Sequence, residues 1–205
     1  MNNTDLKTDL KEAKKAQRKE TGKRMAALSR EYVEDASSQI AAALMKTKEY
    51  LEADTIFCYM NFGKEVVTSG IIEDALRRGK KVCIPLCHGK GVMDARYYNE
   101  DTKLVPGAYG IMEPSPEEPV AQPEDIDLAI VPCVTCDRQL SRLGHGAGYY
   151  DRFFSLFKGC KVALCFEEIL VDKVVTEEHD ITMDKLISEK YVYEKEYGEY
   201  KRWRP

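Results

Sequence analysis

The chain has 205 residues, 43% of them hydrophobic and 32% charged, a balance that suits one globular domain with a sizeable core. A formal net charge of −4 and a pI near 5.6 argue against a general attraction to nucleic acid or anionic lipid. No apolar run is long enough to cross a membrane, the polar segment Met1–Leu10 lacks a signal peptide's apolar stretch, and seven cysteines set mostly in apolar runs fit a reduced, cytoplasmic protein.

Residues from about Leu6 to Leu28 predict a helix rich in lysine and arginine. Gly22 falls inside it and is expected to interrupt it, at about 1 kcal/mol relative to alanine. Ser29 reads as the N-cap of a second helix. Val33, Ile40, Ala41 and Leu44 recur on one face and carry that helix to about Tyr50. Thr55–Tyr59 is a short, apolar, β-branched run, hence a buried strand, and Asn61–Glu65 is the loop after it. Thr68 or Ser69 opens a third helix, Gly70–Arg78, closed by Gly79. Strands are expected at Lys81–Leu86, ended by Pro85 and the following turn, and at Met93–Tyr98. Val105–Gly107 and the proline-rich Glu113–Pro123 read as surface connections.

Leu128–Val131 is a further apolar strand, stopped by Pro132. A helix from Tyr149 to Phe157, a strand at Lys161–Phe166, a short helix near Glu168–Val171, a turn at His179-Asp180 and a strand at Lys185–Ile187 complete a domain spanning residues 1–190. Tyr191–Pro205, rich in Tyr, Glu and Lys, reads as a mobile or surface-packed extension. Strands alternating with helices predict an α/β fold with a mainly parallel sheet. Ligands of such sheets bind beyond the strands' carboxyl ends, where both Asn61–Glu65 and Cys136–Tyr150 fall.

The string Arg142-Leu143-Gly144-His145-Gly146-Ala147-Gly148-Tyr149-Tyr150-Asp151 carries the most chemistry. Alternating glycines allow positive φ and close approach of a ligand to the main chain. Successive N–H groups can cradle an anion, an arginine adds a charged fork for phosphate, and an aspartate can hold a hard cation. The string lacks the Gly-Lys-Ser/Thr of a P-loop and the Gly-x-Gly-x-x-Gly of a dinucleotide fold. Glycine spacing alone leaves a phosphate loop and a plain turn open. Cys133 and Cys136 form a C-x-x-C pair, but Cys83 and Cys87 are spaced differently, so a core placement is preferred to a zinc site.

Together with three other blocks, the glycine string resembles the 5-formyltetrahydrofolate cyclo-ligase family. The blocks are Lys14-Lys15-Ala16-Gln17-Arg18, the segment Tyr59–Val66, and Glu178-His179-Asp180 with Asp184; Val131-Pro132 and Asp137-Arg138 precede the string itself. The resemblance covers about residues 10 to 188. It implies a three-layer α/β/α fold like that of sugar-phosphate isomerases and CoA transferases. It also implies ATP- and Mg²⁺-dependent conversion of 5-formyltetrahydrofolate, with or without a polyglutamate tail, to 5,10-methenyltetrahydrofolate, ADP and phosphate. By the same resemblance, ATP is held by Lys14, Lys15, Ala16, Gln17, Arg18 and the run Arg142–Tyr150, with Lys14, Arg18 and Arg142 stabilising charge in the reaction. Met60, Glu65, His145, Gly146, Ala147, Gly148 and Tyr149 are the implied folate contacts, and Asp151 and Asp180 the implied magnesium ligands. A monomer or small homo-oligomer with no nucleic-acid partner is expected.

Three residues depart from the family pattern. Val67 stands where a second acidic residue is common, Cys136 where an aromatic is usual, and Leu140 where a glycine is usual. Leucine does not reach positive φ cheaply, so the loop entry is expected to differ in shape. These departures keep a non-catalytic relative open, one that binds nucleotide, folate or RNA. A related α/β isomerase or transferase would want a general base and no ATP, against which the basic first helix speaks.

Overall fold

The structure, a computed structural model, describes residues 3–107, 110–196 and 198–205, with side chains from residue 8 onward. Helix α1 (Asn3–Ala27) runs through Gly22 without a break. Its tertiary bonds override the glycine penalty: Arg24 donates to Leu170 O, and Gln17 both donates to Lys173 O and accepts from Val175 N. Helix α2 (Arg30–Leu44) starts at Ser29, whose side chain accepts from Tyr32 N. It ends sooner than its apolar face predicts. Thr47 Oγ1 donates to Leu44 O and accepts from Tyr50 N, which closes one helix and opens α3 (Lys48–Glu52).

Strands β1 (Thr55–Cys58), β2 (Lys81–Gly89), β7 (Leu128–Val131), β10 (Cys160–Leu164) and β11 (Lys185–Ile187) form the parallel centre of a nine-stranded sheet, in the order β2-β1-β7-β10-β11. Every residue of β1 and β7 is buried, as expected for strands covered on both faces. Phe57 meets Phe153 at 4.8 Å between ring centroids, whereas its neighbour Cys58 interacts with Thr68, the cap of helix α4 (Ser69–Arg77). Adjacent strand residues point to opposite faces, so helices pack on both sides of the sheet. Helix α5 (Tyr149–Phe153) supplies Phe153 and is shorter than expected.

The edges are antiparallel. β3 (Val92–Tyr98) and β6 (Val120–Ala121) extend one side. β2 runs through Pro85 because its pairing with β1 ends at Cys83, leaving the proline no central ladder to interrupt. The expected surface connections hold a hairpin, β4 (Leu104–Pro106) with β5 (Met112–Pro114). On the other side β12 (Val192–Glu196) and β13 (Glu199–Trp203) continue the sheet from β11. Of the two expectations for the tail, the packed one describes it, as a sheet hairpin: Val192 and Tyr193 join the core, and Lys185 pairs with Glu194 across the strands. A small hairpin, β8 (Thr135–Cys136) with β9 (Arg142–Leu143), stands above the sheet. Among the described residues no helix is long and apolar enough to cross a membrane.

Candidate active site

The chain reverses direction between β1 and β7. From β1 it passes through α4 to β2 on one side, and from β7 through α5 to β10 on the other. Loops leaving neighbouring strands part at such a point and open a crevice. Residues 59–68 follow β1, residues 132–148 follow β7 and residues 165–184 follow β10; together with α1 they frame the site.

Leu140, the residue expected to distort the loop entry, adopts the left-handed conformation itself, with φ +67°. The surroundings hold it there. Its side chain is buried, its N–H donates to Asp137 O, its carbonyl accepts from Met183 N, and Asp137 Oδ1 accepts from Gln139 N and Ser141 N. The tight turn survives without glycine, and β9 is delivered beside β8.

Two cavities meet over a wall formed by Pro132, His145, Ala147, Tyr149 and Tyr150. The first has a volume of about 510 Å³ and is charged, with Lys14, Arg18, Arg142, Asp151, Glu177 and Asp180 around it. The second, of about 330 Å³, is mostly apolar, with Met60, Phe62, Met93 and Met112 beside two carboxylates, Glu65 and Glu113.

In the charged cavity Arg142 is 8% exposed. Its Nη2 donates to Asp151 Oδ1 at 3.3 Å, its Nη1 donates to Pro132 O at 3.3 Å, and its guanidinium lies 5.5 Å from the Tyr150 ring centroid. The glycine loop leaves β9 and turns into α5 through Gly146 at φ +103° and Gly148 at φ +71°, conformations that favour glycine. Arg18 Nε donates to Gly144 O at 2.7 Å, and Arg152 Nη1 donates to Ala147 O at 2.9 Å and Gly148 O at 3.3 Å. Two arginines thus fix three of the loop's carbonyls. Burial lowers the Arg18 pKa, while Asp180 and Glu177 oppose the shift.

Lys14 Nζ, nearly buried, donates to Glu177 Oε2 at 2.7 Å and Asp180 Oδ2 at 2.6 Å. Asp151 Oδ1 accepts from Ile181 N at 3.4 Å, which brings the two implied magnesium ligands to one side of the cavity. The donors there are mainly oxygens, from Asp151, Asp180 and Glu177, with the exposed His179 ring beside the last two, a set in which the carboxylates supply the chemistry a hard cation prefers. They fit Mg²⁺.

In the apolar cavity Glu65 Oε2 accepts from Phe62 N at 2.9 Å and Oε1 lies 3.0 Å from His145 Nε2, so the β1 loop is tied to the glycine string. Tyr59 donates to Val66 O and fixes the same loop from below, and burial pushes the hydroxyls of Tyr59 and Tyr150 well above their usual range. Glu113 is 7% exposed and meets the Cys87 thiol, which burial and then this carboxylate push up to about 12.

The structure brings Lys14, Arg18, the whole run Arg142–Asp151 and Asp180 to the charged cavity. Met60, Glu65, His145, Ala147 and Tyr149 reach the apolar one; Gly146 and Gly148 line only the first. Lys15 and Ala16 are exposed on α1 outside both cavities, and Gln17 clamps the helix to residues 173–175 instead. Tyr150 also does the helix-start packing expected of one of the two tyrosines, against Phe57 and Phe154. Sequence reasoning missed Glu177, Arg152 and Glu113. Glu177 sits three residues before Asp180 in a visibly acidic stretch, a signal that was available. Glu113 gave none, because its contact with Cys87 joins segments distant in sequence, whereas Arg152 bonds only four and five residues back and its role depends on the shape of the loop.

A charged cavity joined to an apolar one at the switch point of a parallel sheet defines an α/β enzyme that holds an anionic group beside a mainly apolar substrate. The profile of the 5-formyltetrahydrofolate cyclo-ligase family matches residues 10–189. The probable 5-formyltetrahydrofolate cyclo-ligase of Schizosaccharomyces pombe is 32% identical over 173 residues, covering 76% of this chain and 85% of the relative. The 5-formyltetrahydrofolate cyclo-ligase of Escherichia coli K12 is 29% identical over 177 residues, covering 83% and 97%. The solved 5,10-methenyltetrahydrofolate synthetase of Aquifex aeolicus superposes with a TM-score of 0.78 at 30% identity, over 87% of this chain and 91% of that one. The chain belongs to the 5-formyltetrahydrofolate cyclo-ligase family.

Proposed function

We propose that the chain closes 5-formyltetrahydrofolate to 5,10-methenyltetrahydrofolate at the expense of ATP, with Mg²⁺, releasing ADP and phosphate. The observation that carries this reading is the shared wall between the two cavities. ATP phosphates on one side and a formyl group on the other would meet over His145, Ala147 and Tyr149. The formyl oxygen attacks the γ-phosphorus and ADP leaves. N10 then attacks the activated carbon, loses its proton, and the former formyl oxygen departs within phosphate. The substrate brings its own nucleophile, so the protein's task is alignment and charge stabilisation.

Arg142 and Arg18 present forks to phosphate oxygens and Lys14 a compact charge. Mg²⁺, held by Asp151 and Asp180, would neutralise phosphate charge. Glu65 and Glu113 accept from the pterin's N–H groups, and Met60 packs on the ring. Polyglutamated forms of the substrate, a cytoplasmic location, and a monomer or small homo-oligomer without nucleic acid belong to the same reading. All the residues invoked come from one chain, which favours activity that does not depend on assembly.

The test is to mix the protein with 5-formyltetrahydrofolate and Mg-ATP and follow methenyltetrahydrofolate absorbance. A rise that needs both ATP and Mg²⁺ is expected. Binding of both substrates with no rise would favour the non-catalytic relative, for which no feature of the two cavities speaks.

A further inference from the structure

Three cysteines outside this reaction scheme converge in space. The sulfur atoms of Cys133, Cys136 and Cys165 all lie within 4.8 Å of one another, and all three residues are buried. The fold explains the meeting. β7 and β10 are parallel neighbours, with Val131 paired to Ala163, so the segments that follow them emerge side by side. Cys133 lies two residues beyond β7 and Cys165 directly beyond β10, while β8 turns Cys136 back toward both. The C-x-x-C pair that lacked a matching partner in sequence gains its third thiol from another strand end.

Three thiolates bound to one d¹⁰ cation at about 2.3 Å stand about 4 Å apart. That spacing falls inside the observed limit, and loading would replace the bonds that the Cys133 and Cys165 thiols donate to Leu164 O and Phe166 O. Arg142 favours the thiolate form at Cys133 and Cys136, and Glu65 opposes it at Cys133. Arg142 pairs directly with Cys136 across the β8–β9 hairpin, and its buried Nε has no hydrogen-bond partner among the described residues. Three thiolates on a divalent cation carry a net −1, which this guanidinium balances; a monovalent cation would leave surplus negative charge in an enclosed place. Sulfur donors select a soft ion, whereas Mg²⁺ prefers the carboxylates of the neighbouring cavity. Cys133 follows Pro132, which lines both cavities, so the cluster lies one residue behind their shared wall.

We propose that Cys133, Cys136 and Cys165 form a three-thiolate site for one soft divalent d¹⁰ cation, with zinc as the natural ion. Each S–H bond broken on loading releases its proton to solvent as a metal–sulfur bond forms, and nothing is oxidised or reduced. The rival reading is that the three thiols are merely small apolar core residues.

The test titrates the reduced full-length chain with Cd²⁺ in excess Mg²⁺, which occupies the carboxylates. A thiolate-to-cadmium ultraviolet band should saturate at one ion per chain, and Zn²⁺ should abolish it by competition. Zinc-finger binding energies shared over four ligands give about 3 kcal/mol each, so Cys165→Ala should weaken binding by about 100-fold. Cys58→Ala, at a buried cysteine elsewhere, should leave binding unchanged. Absence of a saturating band, or an unchanged band in Cys165→Ala, would overturn the proposal. X-ray absorption of the zinc-loaded wild-type chain tests it without a variant: a shell of three sulfurs supports the site, and a shell of only nitrogen and oxygen refutes it.

Discussion

Arg142 and Glu65 stand on opposite sides of the wall between the cavities, and their substitution should separate the two substrates. Arg142→Lys keeps charge but loses the fork to Asp151 and phosphate. We expect turnover to fall about 100-fold, the scale of losing one transition-state donor, with KM for ATP raised. Glu65→Gln should raise KM for the folate and leave KM for ATP near its original value; a rise in both constants would contradict the division of labour. Leu140 poses a different question. Leu140→Gly relieves left-handed strain of about 1 kcal/mol but empties a buried leucine site that costs about 3 kcal/mol. The net loss of about 2 kcal/mol should lower the melting temperature by about 6 °C, and an unchanged or higher value would mean that strain dominates. At this scale Arg142, Asp151, Glu65 and Asp180 were legible as candidates, and they line the two cavities, because each sits in a motif whose chemistry is local. The sequence was read less well for Leu140, whose allowed conformation depends on Asp137 and Met183, and for Glu113, whose partner lies on another strand.

The elements divide in the same way. β1, β7, β10 and β11 were legible because continuous apolar runs announce buried parallel strands. β12 and β13 were not, since their polar, tyrosine-rich pattern matches that of a solvated tail, and only pairing with β11 makes them strands. Helix α1 was legible in place but not in all its contacts: its basic face splits, Lys14 and Arg18 entering the site while Lys15 stays exposed. Ending the chain after Lys190 would remove buried Val192 and Tyr193 and bare the edge of β11. At about 2 kcal/mol for each buried side chain, the loss is about 4 kcal/mol. A matching drop in the denaturant midpoint is expected; an unchanged midpoint would favour the mobile one of the two sequence expectations.

For the whole molecule, the sheet's change of direction between β1 and β7 places two loop systems face to face, and α1 and residues 165–184 enclose the charged side. In the proposed function this arrangement needs no Ser-His-Asp or Cys-His set: two substrates would be held against one wall, and their own atoms would react. The α/β class followed from alternating elements, but the joining of the cavities did not, since it needs four segments far apart in sequence. The central claim is phosphoryl transfer to the formyl oxygen across that wall. The direct measurement is turnover of 5-formyltetrahydrofolate carrying ¹⁸O in its formyl group, with unlabelled Mg-ATP, followed by mass analysis of the released phosphate. The account predicts one ¹⁸O atom in each phosphate formed. Methenyltetrahydrofolate released alongside unlabelled phosphate would contradict it.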